Sequence, residues 1–331
     1  MSARMAVGES VDWLVDRVTE KRWSTFGLAA TRVTLAATIL LQTLSGLPEL
    51  QYTWGVGQRW AETTHTRQGV VGWAPWLPQY PAWAAVAVVA AMIVAAVAMM
   101  LGWRTRVTVV LMVALWGVTM DASPILRSGG EDVVRLILFY LMFADSGRAW
   151  SLDARRRRKA EAPERRGEWL SILFNNLAVV LIAHQIVMIY VGGALWKFAS
   201  DVWLDGTAVY YPLQVSQYSP WVHELGWLYS WPVFVMGATW TAMLVQIAFP
   251  LMLLTRRTRI VGFVLVTATH IGIGVLMGLM YFSLAMIAAD AVLISDTSWR
   301  TSRETVRKWW KRLESQGTDG GSPDNHPPSN P

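Results

Sequence analysis

The sequence predicts an all-α, polytopic integral membrane helix bundle of about eight transmembrane helices with both termini in the cytoplasm. Three observations lead there. Hydrophobic residues make up 53% of the 331 residues and charged residues only 16%, against roughly 25% charged in an average soluble domain; the mean hydropathy is +0.33. The apolar residues collect in eight runs of near-spanning length. The lysines and arginines collect in every second loop between those runs.

Taken in order, Met1 to Trp23 has no signal-peptide pattern and places Val11, Leu14, Val15 and Val18 on one helical face opposite Asp16, Arg17 and Lys21. Residues 1–24 are therefore expected to form an amphipathic helix lying on the inner leaflet. The expected spans are about Phe26 to Leu47, Trp83 to Leu101, Val107 to Asp121, Asp132 to Ser146, Leu170 to Trp196, Pro232 to Leu254, Ile260 to Leu279 and Tyr281 to Ile294. The third, fourth and eighth are shorter than the 20 or so residues of a straight span. Together they make a transmembrane domain over residues 25–296. Residues 297–313 read as a basic cytoplasmic helix, and residues 314–331, polar and rich in Pro and Gly, as a disordered tail. No repeat of 20 to 50 residues suggests a solenoid or a duplicated transporter.

Orientation follows from charge. The segments Arg4 to Arg22, Arg104 to Arg106, Arg148 to Arg166, Arg256 to Arg259 and Arg300 to Arg312 hold 23 of the 29 lysines and arginines. The opposite loops hold Arg59, Arg67 and Arg127, with Lys197 at their edge. This bias sets the termini inside the cell membrane. It also accounts for the net charge of +6 without nucleic acid as a partner; the expected surroundings are the lipid bilayer and an apolar small molecule, with no protein partner indicated. Absent cysteine removes thiolate chemistry and disulfides. Five histidines, none spaced i, i+3 or i+4 from another, offer no metal site.

The chemistry is expected on the outer side, where Pro48 to Ala82, Ala122 to Glu131 and Phe198 to Trp231 converge. Lys197 ends an apolar run just before a loop bearing Asp201 and Trp203. An ammonium at the hydrocarbon edge incurs a desolvation cost that favours the neutral, basic form. Two readings are open: a base in a polar vestibule with Glu131 or Asp132, or a snorkelling anchor paired with Asp201 at i+4. Glu131, Asp132 and Arg135 lie close in sequence, so Arg135 is expected to pair along its own helix. His184 and His270 fall near the middle of their spans, where ionisable groups default to functional or paired roles. Gln246 reads as an interhelical hydrogen-bond partner, Arg32 as a snorkeller, Asp290 as paired with a polar neighbour, and Gly192 and Gly193 as a close helix contact.

Four stretches carry a family resemblance: SGGEDVVRLILFYLMFADSGRAWSLD (Ser128 to Asp153), QIVMIYVGGALWKFASDVWLDGTAVYY (Gln185 to Tyr211), MLVQIAFPLMLL (Met243 to Leu254) and HIGIGVLMGLMYFSLAMIA (His270 to Ala288). Their order and spacing resemble the HTTM domain, the transmembrane part of vitamin K-dependent gamma-carboxylase and of many bacterial proteins. In that carboxylase a lysine in a similar glycine-containing apolar stretch is the weak base that deprotonates reduced vitamin K on the lumenal side. The resemblance implies the same role for Lys197, with one residue of slippage against Trp203, and a reduced quinone as cofactor or substrate. The carboxylase also has a catalytic histidine before its Trp-Ser-x-Asp motif, and the corresponding position here is Gly130. No stretch corresponds to its large lumenal domain, so base chemistry on a quinol-like or lipid-like molecule is expected rather than protein carboxylation. The alternative the resemblance leaves open is a non-catalytic membrane partner in export, immunity or assembly.

Overall fold

The computed structural model describes residues 16–53, 82–122, 129–160, 168–216 and 219–318. Residues 1–15 of the expected inner-leaflet helix, residues 54–81 of the first outer segment and residues 319–331 of the expected tail lie outside them. The main helices are α1 (Thr25–Ser45), α2 (Ala82–Leu101), α3 (Thr105–Ala122), α4 (Gly129–Leu141), α5 (Leu152–Lys159), α6 (Glu168–Phe198), α7 (Pro232–Met252), α8 (Arg256–Leu276), α9 (Met280–Asp290) and α10 (Asp296–Thr318). No strand occurs among the described residues.

Helices occupy all eight segments expected from hydropathy, but they are not equal. Five, namely α1, α2, α6, α7 and α8, are long and apolar enough to cross a bilayer on their own. A sixth span results if the chain from Met280 through Trp310, bent by 108° at a break, is taken as one. At 13 residues α4 rises only about 20 Å, short of the roughly 30 Å hydrocarbon thickness. Large apolar side chains such as Val94, Leu251 and Leu254 are 69%, 70% and 78% exposed. A water-soluble surface rarely tolerates such a band, whereas lipid is its natural solvent. This is a multi-pass membrane protein.

Within the spans, buried hydroxyls satisfy themselves on the preceding turn, as Thr38 does on Thr34, Thr43 on Ile39 and Thr119 on Leu115. In the bundle α1 packs against α2 and α9, α2 against α3, α6 against α7, and α8 against α7 and α9. Leu35, Ile39, Met92, Met99, Ile137 and Leu138 are among the apolar side chains filling the space between them.

Long-range hydrogen bonds define the two ends. At the basic end, Asp296 caps α1 by accepting from the backbone of Thr25 and Phe26 at 3.1 and 2.8 Å. Residues 18–23 are clamped there by Asn176 on α6, which accepts from Trp23 N–H and donates to the carbonyls of Val18 and Lys21. At the opposite end Tyr281 donates to Ser45 at 2.7 Å, and α6 ends at Lys197 and Phe198. The basic helix expected over residues 297–313 is present as α10, which runs on to Thr318.

Arg32 corrects one expectation. Rather than snorkelling, it is completely buried and donates to five carbonyls, those of Met99 and Met100 at the end of α2 and of Ser146, Ala149 and Trp150 in the turn between α4 and α5. The last carbonyls of a helix have no partner of their own, and a guanidinium with five N–H groups supplies them from inside the protein. Gly192 and Gly193 correct another: a Cβ on Gly192 would meet nothing within 4 Å, and one on Gly193 only Gln246 and Lys197 at an ordinary 3.6 Å. Among the described residues the close helix contacts lie instead at Gly27, Gly130, Gly262 and Gly274, and Gly102 and Gly147 are closely packed in turns.

Candidate functional site

One face of α6 carries Ile186, Tyr190, Gly193 and Lys197, spaced four, three and four residues apart and so stacked along one side of the helix. Lys197 is half-buried near the end remote from the basic loops. Its ammonium donates to Gln246 Oε1 on α7 at 2.6 Å and reaches back to the Gly193 carbonyl at 3.4 Å. It also lies 5.0 Å from the ring centroid of Trp203, within cation–π range. Trp203 sits in a single helical turn, Asp201–Leu204. Trp240 of α7 holds that turn in place through a 3.2 Å bond to the Leu204 carbonyl. Further along the segment between α6 and α7, Ser219 and Trp221 donate to the carbonyls of Leu276 and Val275, capping the end of α8.

Two turns deeper on α6, about 10 Å at 1.5 Å per residue, is a second polar group. The Tyr190 hydroxyl donates to Asp290 Oδ2 on α9 at 2.6 Å and lies 3.2 Å from His270 Nε2 on α8. All three side chains are almost fully buried. Phe249 packs edge-on against Tyr190 and Phe282 against His270. The phenol has one hydrogen, and it goes to the carboxylate. Nε2 of a neutral His270 must then carry a proton and donate to the Tyr190 oxygen, which leaves Nδ1 as an acceptor. Among the described residues Nδ1 has no hydrogen-bond partner, and neither do Asp290 Oδ1 and Ser283 Oγ. His270 is thus joined through Tyr190 to the face of α6 that carries Lys197 seven residues on.

The basic end is ionic by contrast. Asp145 accepts from Arg22, Arg106 and Ser171. Burial alone would raise its carboxyl, but the hydrogen bonds from Arg22 and Ser171 and the charges of Arg22 and Arg106 hold it below the usual range. Asp153 is likewise held low against the effect of burial, here by the Thr105 N–H, the Thr105 hydroxyl and the Arg104 N–H, which it accepts where α3 begins. The turn from Asp145 to Asp153 thus ties α1, α2, α3 and α6 together.

The sequence profile of the HTTM domain matches residues 23–299. The chain belongs to the HTTM domain family. An uncharacterized protein of Bacillus subtilis (strain 168), YitO, is 26% identical over 197 residues, which is 57% of this chain and 60% of that protein. The match thus spans about three fifths of the relative's length. No solved structure matches.

Of the residues singled out in the sequence, the HTTM fold sets Gln246 against Lys197 and brings His270 and Asp290 together at Tyr190, and it keeps the other candidates apart. Glu131 is buried and accepts from Gln42 of α1 at 2.8 Å. Asp132 pairs with Arg135 at 3.0 Å, along its own helix as expected. Neither carboxylate makes the expected pair with Lys197, nor does Asp201; Gln246 takes that place. His184 is exposed on the outside of the bundle, about a third of a turn away from Tyr190. At Gly130, where the carboxylase-like histidine is absent, a Cβ would lie 3.1 Å from Phe282 Cα. Close packing of α4 on α9 closes that position with the Cα and Cβ of Phe282, and the ring of the same residue rests on His270. Tyr190 escaped sequence reading, although its place seven residues before Lys197 was a usable signal. Asp290 does pair with a polar neighbour, and Gln246 does bond between helices.

Proposed function

We propose that this HTTM protein is a membrane-embedded enzyme of the cell membrane in which Lys197, on the outer face of an eight-span bundle, acts as a base on a quinol-like or lipid-like molecule entering between helices. The observation that carries this reading is the company Lys197 keeps. Its partners are a carboxamide oxygen, a peptide carbonyl and an indole face, and among the described residues none is a carboxylate. A carboxylate would fix the ammonium in its charged form, whereas neutral acceptors orient the amine and leave its proton exchangeable. An anchor would extend toward the headgroups or pair with the exposed Asp201; this side chain turns back toward Gly193 and the bundle. The charge bias of the loops supports placing both termini inside and Lys197 outside.

The test is complementation of a strain lacking the gene, with membrane level and single-cysteine labelling at Thr207 by an impermeant reagent as controls. Lys197→Ala and Lys197→Arg are both expected to fail at normal expression, because guanidinium stays protonated. Gln246→Glu, which sets a carboxylate against Nζ, is expected to fail too. Full complementation by Lys197→Arg removes the enzyme reading and leaves a cationic anchor, as a non-catalytic partner protein would need.

A further inference from the structure

Resting on that reading, we propose that His270, Tyr190 and Asp290 form a proton relay that takes the proton from the Lys197 ammonium before substrate arrives and holds it on Asp290 in the middle of the bundle, leaving the amine free to act as a base. The geometry gives the relay a direction. The bare Nδ1 of His270 is its entry, Nε2–H to the Tyr190 oxygen the middle link, and the 2.6 Å bond from Tyr190 to Asp290 Oδ2 its end.

One proton moves, and nothing is oxidised. A proton from the Lys197 ammonium reaches Nδ1, carried across the gap by a water. The Nε2 hydrogen passes to the Tyr190 oxygen as the tyrosine's own hydrogen passes to Asp290. The products are a neutral amine, the other neutral tautomer of the imidazole, a neutral phenol and a neutral carboxylic acid.

The physical gain is the loss of two separated charges. An ammonium at the outer edge and a carboxylate about two turns deeper would each stand in apolar surroundings without an ionic partner, which is costly; one proton transfer neutralises both. Among the described residues, the charged groups on the elements packed against α9 are already engaged, lie at the basic end or belong to the relay: α6 contributes Tyr190 and Lys197, α8 contributes His270, α4 carries Glu131, bonded to Gln42, and Arg135, paired with Asp132, and Arg32 of α1 spends its donors on carbonyls near the basic end. Phe249 and Phe282 wall the chain of bonds with hydrocarbon. A purely structural Tyr–Asp pair would not need a buried histidine bonded to the same hydroxyl, with a second nitrogen that no described residue engages.

Infrared difference spectroscopy of the purified full chain in lipid nanodiscs tests this without a substrate. A protonated-carboxyl band that disappears in Asp290→Asn is expected in the wild type and in Lys197→Gln. In Lys197→Arg, whose fixed charge holds the carboxylate ionised, the band should be lost, and Tyr190→Phe should shift it. Absence of an Asp290 band, or a band indifferent to all three lysine states, overturns the relay. Complementation separates this from the parent reading. If Lys197→Arg fails while Asp290→Asn and Tyr190→Phe both complement, the base stands and the relay falls; if Lys197→Arg complements, both fall.

Discussion

Arg32→Met should be among the most damaging substitutions in the chain. Methionine keeps most of the apolar volume, so the loss is polar: five carbonyls, at 2.5 to 3.4 Å from three guanidinium nitrogens, lose their donors in a site with no access to water. Bonds to a charged donor are worth about 1.5–3 kcal/mol each, but they share one side chain and do not add. Breaking a buried ionic network costs roughly 3–5 kcal/mol as a whole. At about 2–4 °C per kcal/mol, melting should fall by around 10 °C. Intrinsic fluorescence in detergent, with 20 tryptophans as reporters, measures this directly. Arg303→Met on exposed α10 serves as control and should stay within about 0.5 kcal/mol of the wild type. Arg32→Lys should recover only part of the loss, because an ammonium cannot fork across both chain segments. A melting point for Arg32→Met within about 2 °C of the wild type would refute the argument that this guanidinium joins α1, α2 and the 146–150 turn.

Two further outcomes follow from the same geometry. Gly102→Ala combines a φ of +67° with a Cβ only 2.3 Å from Ser151 Cβ, and should cost at least about 1–3 kcal/mol, whereas Gly192→Ala, with open space around it, should be neutral or gain roughly 0.5–1 kcal/mol; melts of equal sign would contradict the placement of both. Asp145, held below the unfolded carboxylate value of about 3.9, contributes stability that is present above that value and lost as pH falls through its folded value. The melting difference between wild type and Asp145→Asn should therefore shrink below about pH 4, and a difference constant from pH 7 to pH 3 would remove the ionic account of the basic end.

Hydropathy located the five helices long and apolar enough to cross a bilayer among the described residues, because apolar length is a one-dimensional property of the chain. It could not rank the eight segments: α4 reads like a span from Asp132 to Ser146, but the chain leaves the helix at Leu141 to form the turn that feeds Arg32 and Asp145. Arg32 was misread for the same reason, since its acceptors lie 67 to 118 residues away. Gly192 and Gly193 look like a packing motif in sequence, yet whether a glycine faces a neighbour depends on the rotation of α6. The candidate site was half legible. Lys197 stands out as a lone charge at a span's end, and Tyr190 shares its face by arithmetic, but the partners on α7, α8 and α9 are set by how those helices pack.

The contrast between the two ends bears on why Lys197 has no acid. Charges in this chain are normally paired where they are partly buried: Arg22 with Asp145 and Glu168, Arg148 with Glu168, Arg135 with Asp132. Carboxylates are also available to Lys197, since Asp201 lies one turn on and Asp205 soon after, both exposed. A lysine needed only for charge balance would have taken the i+4 pair, which costs little and is common. Instead Nζ is drawn to Gln246, a residue with the shape of glutamate and none of its charge. Arg32 and Arg259 also donate to carbonyls, but a guanidinium keeps its proton; at a lysine a neutral acceptor fits a proton that must leave, and Nδ1 of His270 is a place for it to go.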